Sequence, residues 1–206
     1  LASNLDRTGM TKNVQQSHKG AKTIVTYTFP AHEMEIAPGD SVQLRIMVLN
    51  SYDGSWKFMS MVGAVRMACM NGQVIADAFS EYSAKHTRSL DVEMAVAKLE
   101  TALEVYTKNV ELWKKFPKSP ISNAQATAIF QRVAGKSDRL ELLLEETFLK
   151  YVDEMGKNAW ALFNTLTDWS SHAKFKNEAN KVATVYNREA KVRKVLPWLK
   201  EMAIAA

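Results

Sequence analysis

The sequence predicts an α+β fold in which an N-terminal antiparallel β-meander packs against a C-terminal multi-helix region. Before residue 80, β-branched and aromatic residues recur in short runs separated by glycine-containing turns. After residue 80, apolar residues recur at intervals of three and four, which is the period of a helix. We expect a polar N-terminal arm over residues 1–20, the sheet over 21–80 and the helical region over 81–206. The sheet and the helices should form one domain.

The first predicted strands are connected by a short turn. Residues 23–29 are rich in β-branched and aromatic side chains and are followed by Pro30, which predicts a strand that ends there. The Pro-Gly-Asp sequence at 38–40 predicts a turn. Residues 42–49 alternate over their first half and predict the second strand.

A hairpin turn follows the second strand. Asp53-Gly54 supplies the positive φ that such a turn needs. Residues 56–70 then form one long strand or two shorter ones with a bulge at Gly63. The Asn-Gly pair at 71–72 predicts a second turn.

The first predicted helix carries a heptad pattern. Ser89 can cap its N-terminus, and Pro117 stops it. Its apolar positions repeat at intervals of four and three: Val92, Val96, Leu99, Leu103, Tyr106, Val110 and Trp113. Such a seam packs inside one chain or between two chains.

Four further helices are predicted over about 123–134, 138–155, 159–169 and 172–196. Gly135 closes the first of them and Gly156 ends the second. Ser137 caps the start of the second.

The net charge of +5 is unevenly distributed. Residues 1–80 carry seven basic and six acidic side chains, whereas residues 171–200 carry eight and two. A basic helix face can bind phosphates, or it can be an ordinary solvated surface. The candidate phosphate contacts on this C-terminal segment are Lys174, Lys181, Arg188, Lys191, Arg193 and Lys194.

The composition excludes some classes of protein. No run approaches the roughly 20 apolar residues that cross a membrane, and the start of the chain does not resemble a signal peptide. Cys69 is the only cysteine, which excludes an intrachain disulfide and fits a reducing cytoplasm. We expect a cytoplasmic protein with no membrane partner.

Few residues form a pattern that points to catalysis. The four histidines lie far apart with no metal-binding spacing, so we expect no metal and no cofactor. Cys69 could act as a nucleophile with a distant histidine, or it could be a small buried thiol in a strand. Gly135-Lys136-Ser137 lacks the first glycine of a phosphate-binding loop. We therefore expect a protein that is not an enzyme.

The hairpin turn at 50–57 has two interpretations. It can simply reverse the chain. Alternatively, Tyr52, Trp56 and Lys57 project aromatic rings and a cation from a hairpin, as proteins that stack single-stranded bases do.

Three segments carry a family resemblance. The first contains Asn50, Asp53 and Gly54 in Asn-Ser-Tyr-Asp-Gly-Ser, and the second is Arg66-x-x-Cys69-x-Asn71-Gly72. The third contains Trp160, Asn164, Thr167 and His172 in a Trp-x-x-Phe-Asn-x-Leu-Thr-Asp-Trp-x-x-His pattern. With these segments the chain resembles the phage/plasmid-like protein family of unknown function, which occurs in tailed bacteriophages, prophages and conjugative plasmids.

The resemblance implies a role in phage or plasmid DNA metabolism in a bacterial cytoplasm. A basic C-terminal helix and an aromatic hairpin then favour a non-enzymatic protein that binds or anneals single-stranded DNA. The alternative is a protein-interaction module that acts on a host or phage factor. Arg66 and Asn71 could contact phosphates or hold neighbouring turns. Asn164, Thr167 and His172 could form a buried polar network.

The oligomeric state is open at this point. Edge strands of the meander could pair between copies of the chain to give a homo-oligomer, or a helix could cover them.

Overall fold

The computed structural model describes residues 5–75, 81–85, 97, 100–175, 177 and 180–204. In these residues a six-stranded sheet precedes five α-helices. The α+β fold with an N-terminal antiparallel sheet is therefore confirmed. A long apolar core joins the sheet to the helices.

The strands are β1 (Thr11–Ser17), β2 (Lys22–Ala37), β3 (Asp40–Ser51), β4 (Phe58–Arg66), β5 (Gly72–Val74) and β6 (Glu81–Ala84). They pair in the order β1-β2-β3-β4-β5, and β6 also pairs with β4. Every pairing is antiparallel. The register between β3 and β4 continues through Gly63, so the bulge that the sequence allows there does not occur.

Two expectations about the first strands are corrected. Residues 11–17, assigned by the sequence to the polar arm, form β1. Its side chains are exposed through Gln16, so it has no apolar alternation that could reveal it. Pro30 does not end β2, because the register with β3 shifts between Phe29 and Glu33. A proline without an N–H group is tolerated at such a bulge.

The second predicted turn lies earlier than expected. Residues 67–70 form it, and Met70 takes a positive φ of 57°. The Asn-Gly pair at 71–72 follows the turn, and Gly72 already begins β5. Gly72 is therefore not required by the turn. It is required because an added Cβ would lie 2.4 Å from Arg45 Nη1.

The helices are α1 (Ala102–Trp113), α2 (Asn123–Ala134), α3 (Asp138–Met155), α4 (Ala159–His172) and α5 (Lys181–Ile204), with a short 3-10 helix at Phe116–Lys118. The caps predicted at Gly135, Ser137 and Gly156 are confirmed. Ser137 accepts a hydrogen bond from the backbone of Leu140, and Gly135 and Gly156 close α2 and α3.

The last helix differs from its predicted bounds. His172 belongs to the end of α4, and α5 begins only at Lys181. Pro197 lies inside α5 and does not end it. Val195 and Leu199 are buried on either side of this proline, and their packing holds the helix together across it.

The heptad seam packs within the chain where it is described. Tyr106, Val110 and Trp113 are buried in the main core. The predicted start at Ser89 and the apolar positions through Leu99 lie outside the described residues.

The sheet has an apolar layer on each face. Val42, Leu44 and Ile46 of β3 lie in the main core. Met47 and Leu49 belong instead to a second cluster with Ile24, Met59 and Met61. Tyr186 of α5 packs against this second cluster, so the last helix covers part of the second face.

Candidate nucleic-acid interface

Two turns meet at one end of the sheet. The β1–β2 turn and the β3–β4 turn are joined by a hydrogen bond from Tyr52 N to Ala21 O of 2.8 Å. Ser51 Oγ accepts from Trp56 N at 2.9 Å and donates to Trp56 O at 3.1 Å, which closes the second turn. We call residues 18–22 and 51–57, together with Lys85, the hairpin tip.

The Asp53 carboxylate accepts hydrogen bonds from within its own turn. Its Oδ1 accepts hydrogen bonds from Ser55 Oγ at 2.6 Å and from Ser55 N at 3.0 Å. Both hydrogen bonds hold the pKa of Asp53 below its ordinary value, and the bond from the Ser55 hydroxyl has the larger effect on it. Gly54 takes the expected positive φ of 69°. The predicted turn chemistry is therefore confirmed.

The two aromatic rings of the hairpin tip have different surroundings. Tyr52 is 80% exposed. Trp56 is half-buried, with its ring centroid 6.1 Å from that of Tyr186 and Lys22 Nζ 5.1 Å from its own centroid. The Tyr52 ring can therefore contact a planar ligand directly, whereas the Trp56 ring packs against Tyr186 and stabilises the hairpin tip.

Four lysines lie in the hairpin tip. Lys19 and Lys57 are exposed. Lys85 is also exposed and follows Ala84, which pairs with Phe58, so the antiparallel register places Lys85 beside Lys57. With Lys22, the hairpin tip holds four lysines and one carboxylate. The sequence singled out only Lys57. Lys19 and Lys22 flank a turn between β1 and β2 that the sequence analysis did not predict, and Lys85 reaches the tip through the pairing of β6 with β4.

Asn50, the first residue of the motif, is half-buried at the end of β3. Its Cα pairs with that of Thr23 on β2. Among the described residues, its Oδ1 has no hydrogen-bond partner.

The C-terminal cations do not form one stripe. Arg188 Nη1 donates to Ala173 O at 2.7 Å and to Trp169 O at 3.3 Å, and Nη2 donates to Lys174 O at 3.0 Å. Its guanidinium also lies 4.8 Å from the Phe175 ring. Burial lowers the pKa of Arg188. This cation caps the end of α4.

Other cations of the same segment also contact the protein. Lys191 Nζ donates to Val133 O at 3.2 Å, and Arg193 Nη2 lies 3.1 Å from Met61 Sδ. Lys174, Lys181 and Lys194 are exposed. On a helix of 3.6 residues per turn, Lys194 points about 120° away from Arg188. The expected continuous basic face is therefore corrected. Arg188, Lys191 and Arg193 make contacts with the fold, and Lys181 Nζ lies 5.3 Å from the centroid of the Phe175 ring.

The opposite end of β4 holds most of the remaining motif residues. Arg66 Nε donates to Asp40 Oδ1 at 2.7 Å, and its Nη2 donates to Glu154 at 3.0 Å. Trp160 Nε1 donates to the other Asp40 oxygen at 2.7 Å. Burial alone would lower the pKa of Arg66, but its carboxylate bonds raise it above the ordinary value. Arg66 therefore holds β3, β4 and α3 together.

The turn after Arg66 is attached to the helices. Asn71 Nδ2 donates to Tyr151 Oη at 2.9 Å, and Gly72 N donates to Ser171 Oγ at 3.1 Å. His172 Nε2 lies 3.1 Å from Cys69 O. We call these contacts, together with those of Arg66, the motif cluster. The second and third motif segments meet there, about 100 residues apart in sequence.

The buried polar residues of α4 bond to the helix backbone. Asn164 donates to Trp160 O at 2.9 Å, and Thr167 donates to Phe163 O at 3.1 Å. Both residues are fully buried, whereas His172 is exposed.

The motif cluster does not have the geometry of a nucleophile and its base. Cys69 lies in the turn, not in a strand, and is half-buried. Its Sγ faces Arg66 Nη1 at 3.4 Å, while His172 contacts the Cys69 carbonyl. Burial raises the pKa of Asp168, one helical turn before His172. Within the described ranges, no group of three His, Cys, Asp or Glu side chains could hold a metal.

In the part of the chain that the structure describes, no helix combines the length and the apolar character needed to span a bilayer.

Comparison with protein families identifies a match over most of the chain. A family model described as a domain of unknown function, DUF932, matches residues 3–195. No curated protein and no solved structure matches the chain.

Proposed function

The chain belongs to the DUF932 family, a domain of unknown function, and from that premise we propose that it is a non-enzymatic accessory protein that binds single-stranded nucleic acid at the hairpin tip. One observation carries this proposal. The hairpin tip groups an 80% exposed tyrosine with four lysines and a single carboxylate.

Charge supports a phosphate ligand. Lys19, Lys57 and Lys85 of the hairpin tip are exposed, and Lys22 lies over the Trp56 ring. Asp53 is the only acid of the hairpin tip, and it accepts two hydrogen bonds from Ser55. A net positive surface of this kind attracts the backbone of a polynucleotide and releases its counterions.

The exposed ring favours single strands over duplexes. A base must leave its stack before it can lie on an aromatic side chain, and single-stranded bases are already available. Tyr52 offers such a ring at the tip, and the lysines of the same tip would hold the adjoining phosphates. The contact would carry little sequence preference, because every base has a flat face.

The resemblance to phage and plasmid proteins gives this activity a setting. In the proposal, the protein acts during DNA metabolism of a mobile element in a bacterial cytoplasm. Binding of two complementary strands by several copies would promote annealing.

The test is the salt dependence of binding to a labelled 20-nucleotide oligothymidine, followed by fluorescence anisotropy. Four lysine–phosphate contacts predict a slope of log affinity against log salt of about −2.8 for a single strand. Replacing Lys19, Lys22, Lys57 and Lys85 together by Gln should remove most of that slope. No binding at low salt, or unchanged binding by the quadruple variant, would contradict the proposal.

A matched control carries the same charge change elsewhere. Lys108, Lys115, Lys118 and Lys136 are exposed and lie outside the hairpin tip. Replacing these four by Gln should leave most of the affinity and slope intact. Replacing a third set of lysines by Gln tests whether the C-terminal segment contributes to oligonucleotide affinity. This set is Lys174, Lys181 and Lys194.

An exposed apolar face on α3 favours protein interaction as a second candidate function. Leu142 and Leu149 are 59% and 63% exposed, and their spacing of seven residues places them on one side of the helix. Stoichiometric recovery of one protein from nuclease-treated bacterial lysate, lost in the Leu142→Ser/Leu149→Ser variant, would support this function. Recovery that is unchanged in the variant would contradict it.

A further inference from the structure

An ion pair is buried between the sheet and the last helix. Arg45 of β3 donates from Nη1 and Nη2 to Glu189 Oε1 of α5, each at 3.1 Å. Their side chains are 9% and 1% exposed. Both charges are therefore almost completely removed from bulk solvent.

Each partner retains one atom whose hydrogen-bonding capacity is unused. Arg45 Nε and Glu189 Oε2 have no hydrogen-bond partner among the described residues. A buried N–H donor or carboxylate acceptor that lacks a partner is costly, because it has lost its hydration. The two orphan atoms are complementary, since one donates and the other accepts.

A small cavity adjoins both side chains. Its volume open to a water molecule is about 10 Å³. Arg45 and Glu189 line it together with Met47, Met61, Val62, Ile75 and Arg193. A cavity of roughly 10–15 Å³ on this measure holds one water, and polar lining groups are what keep such a cavity hydrated.

We infer that this cavity is a binding site for one internal water molecule, which accepts a hydrogen bond from Arg45 Nε and donates one to Glu189 Oε2. The volume is too small for a phosphate. Charged walls distinguish it from the dry apolar voids of protein cores. This site is independent of the proposed nucleic-acid binding.

The hydrated ion pair attaches α5 to the second face of the sheet. Gly72 leaves the room that Arg45 requires, since a Cβ there would lie 2.4 Å from Nη1. Gly63 also lies directly opposite Arg45 in the register of β4. Tyr186 lies three residues before Glu189 and packs near Trp56, so the ion pair positions the helix behind the hairpin tip.

The direct test is a crystal structure of the wild-type chain at about 1.5 Å resolution or better. We expect one ordered water within about 3.2 Å of both Arg45 Nε and Glu189 Oε2. A well-ordered Arg45–Glu189 pair beside a cavity without solvent density would overturn the inference.

A solution experiment gives an independent readout. The Arg45 Hε proton should show a nuclear Overhauser effect to a long-lived water resonance in the wild-type chain. Glu189→Gln keeps one acceptor oxygen for the Arg45 Nη groups and presents an N–H donor to the water, which can accept from it and from Arg45 Nε, so the signal should be retained. Arg45→Met should lose the water in its crystal structure. A folded wild-type chain whose Arg45 Hε shows no water contact would contradict the site.

Discussion

The two ends of strand β4 differ in how their motif residues are used. At the hairpin tip, Tyr52 is 80% exposed and Lys57 is also exposed. At the other end, Arg66 and Asn71 are 2% and 0% exposed. Nine residues of strand, roughly 25–30 Å, separate the two turns.

This contrast separates motif residues that hold the fold from those available to a ligand. Arg66 is bonded to two carboxylates, and Asn71 is bonded to Tyr151, so neither is free to contact a phosphate without breaking those bonds. Tyr52 contributes its backbone to the fold through Ala21 and leaves its ring in solvent. A family motif is therefore not evidence of a site until its side chains are located.

The sharpest test of the buried end is Arg66→Ala. Removing a buried partner leaves Asp40 charged and poorly compensated, so we expect a loss of about 3–5 kcal/mol in the free energy of unfolding. Urea denaturation followed by circular dichroism measures it. Lys57→Gln is the matched change at the hairpin tip and should cost less than about 0.5 kcal/mol. If both variants lost the same free energy of unfolding, the contrast between the two ends of β4 would be wrong.

A second test places a methyl group at Gly72. Gly72→Ala should destabilise the fold by roughly 1–3 kcal/mol, because the new Cβ meets the buried Arg45 guanidinium. Arg45 is held by Glu189 and cannot simply swing into solvent. Thermal unfolding of Gly72→Ala, with Gly54→Ala at the tip as a separate comparison, measures the effect. A Gly72→Ala variant as stable as the wild type would show that Arg45 relaxes freely.

A third test addresses the exposed ring. Tyr52→Ala should weaken oligonucleotide binding by about 1–3 kcal/mol, the usual range for losing one stacked base, while stability changes little. Tyr52→Phe keeps the ring and should bind nearly as the wild type does. If Tyr52→Phe loses as much affinity as Tyr52→Ala, the hydroxyl group is the contact and stacking is not.

The smallest expected effect concerns Asp168, near the motif cluster. Burial raises its pKa above 3.8, so the folded chain binds its proton more tightly than the unfolded chain does. Stability contributed by this group is then lost as pH rises from about 3.8 through the raised pKa. Asp168→Asn should be slightly more stable than the wild type at pH 7, and the difference should vanish below about pH 3.8. Thermal melts of both chains at the two pH values check it. A less stable variant at pH 7 would show that attraction to His172 and Lys150 dominates.

Local signals in the sequence predict the helices best. Ser137, Gly135 and Gly156 mark helix ends through capping bonds that involve only neighbouring residues. The hairpin at Asp53-Gly54 is predicted for the same reason. β1 is not predicted, because an edge strand with exposed side chains carries no apolar alternation.

The sites depend on contacts that local patterns do not encode. Arg45 and Glu189 are 144 residues apart in sequence, and the hydrogen bond from Gly72 N to Ser171 Oγ joins residues 99 positions apart. Lys85 joins the hairpin tip only because β6 pairs with β4. Arg188 looks like a surface cation in the sequence, yet it caps the carbonyl groups of α4. Periodicity predicts which elements form, but not which side chains meet.

The hydrogen bond from Tyr52 N to Ala21 O makes one backbone proton a reporter for both turns. That amide can exchange with solvent deuterium only when the two loops separate. The exchange rate of this amide therefore measures how often the two turns separate. A ligand that bridges both turns would slow this exchange.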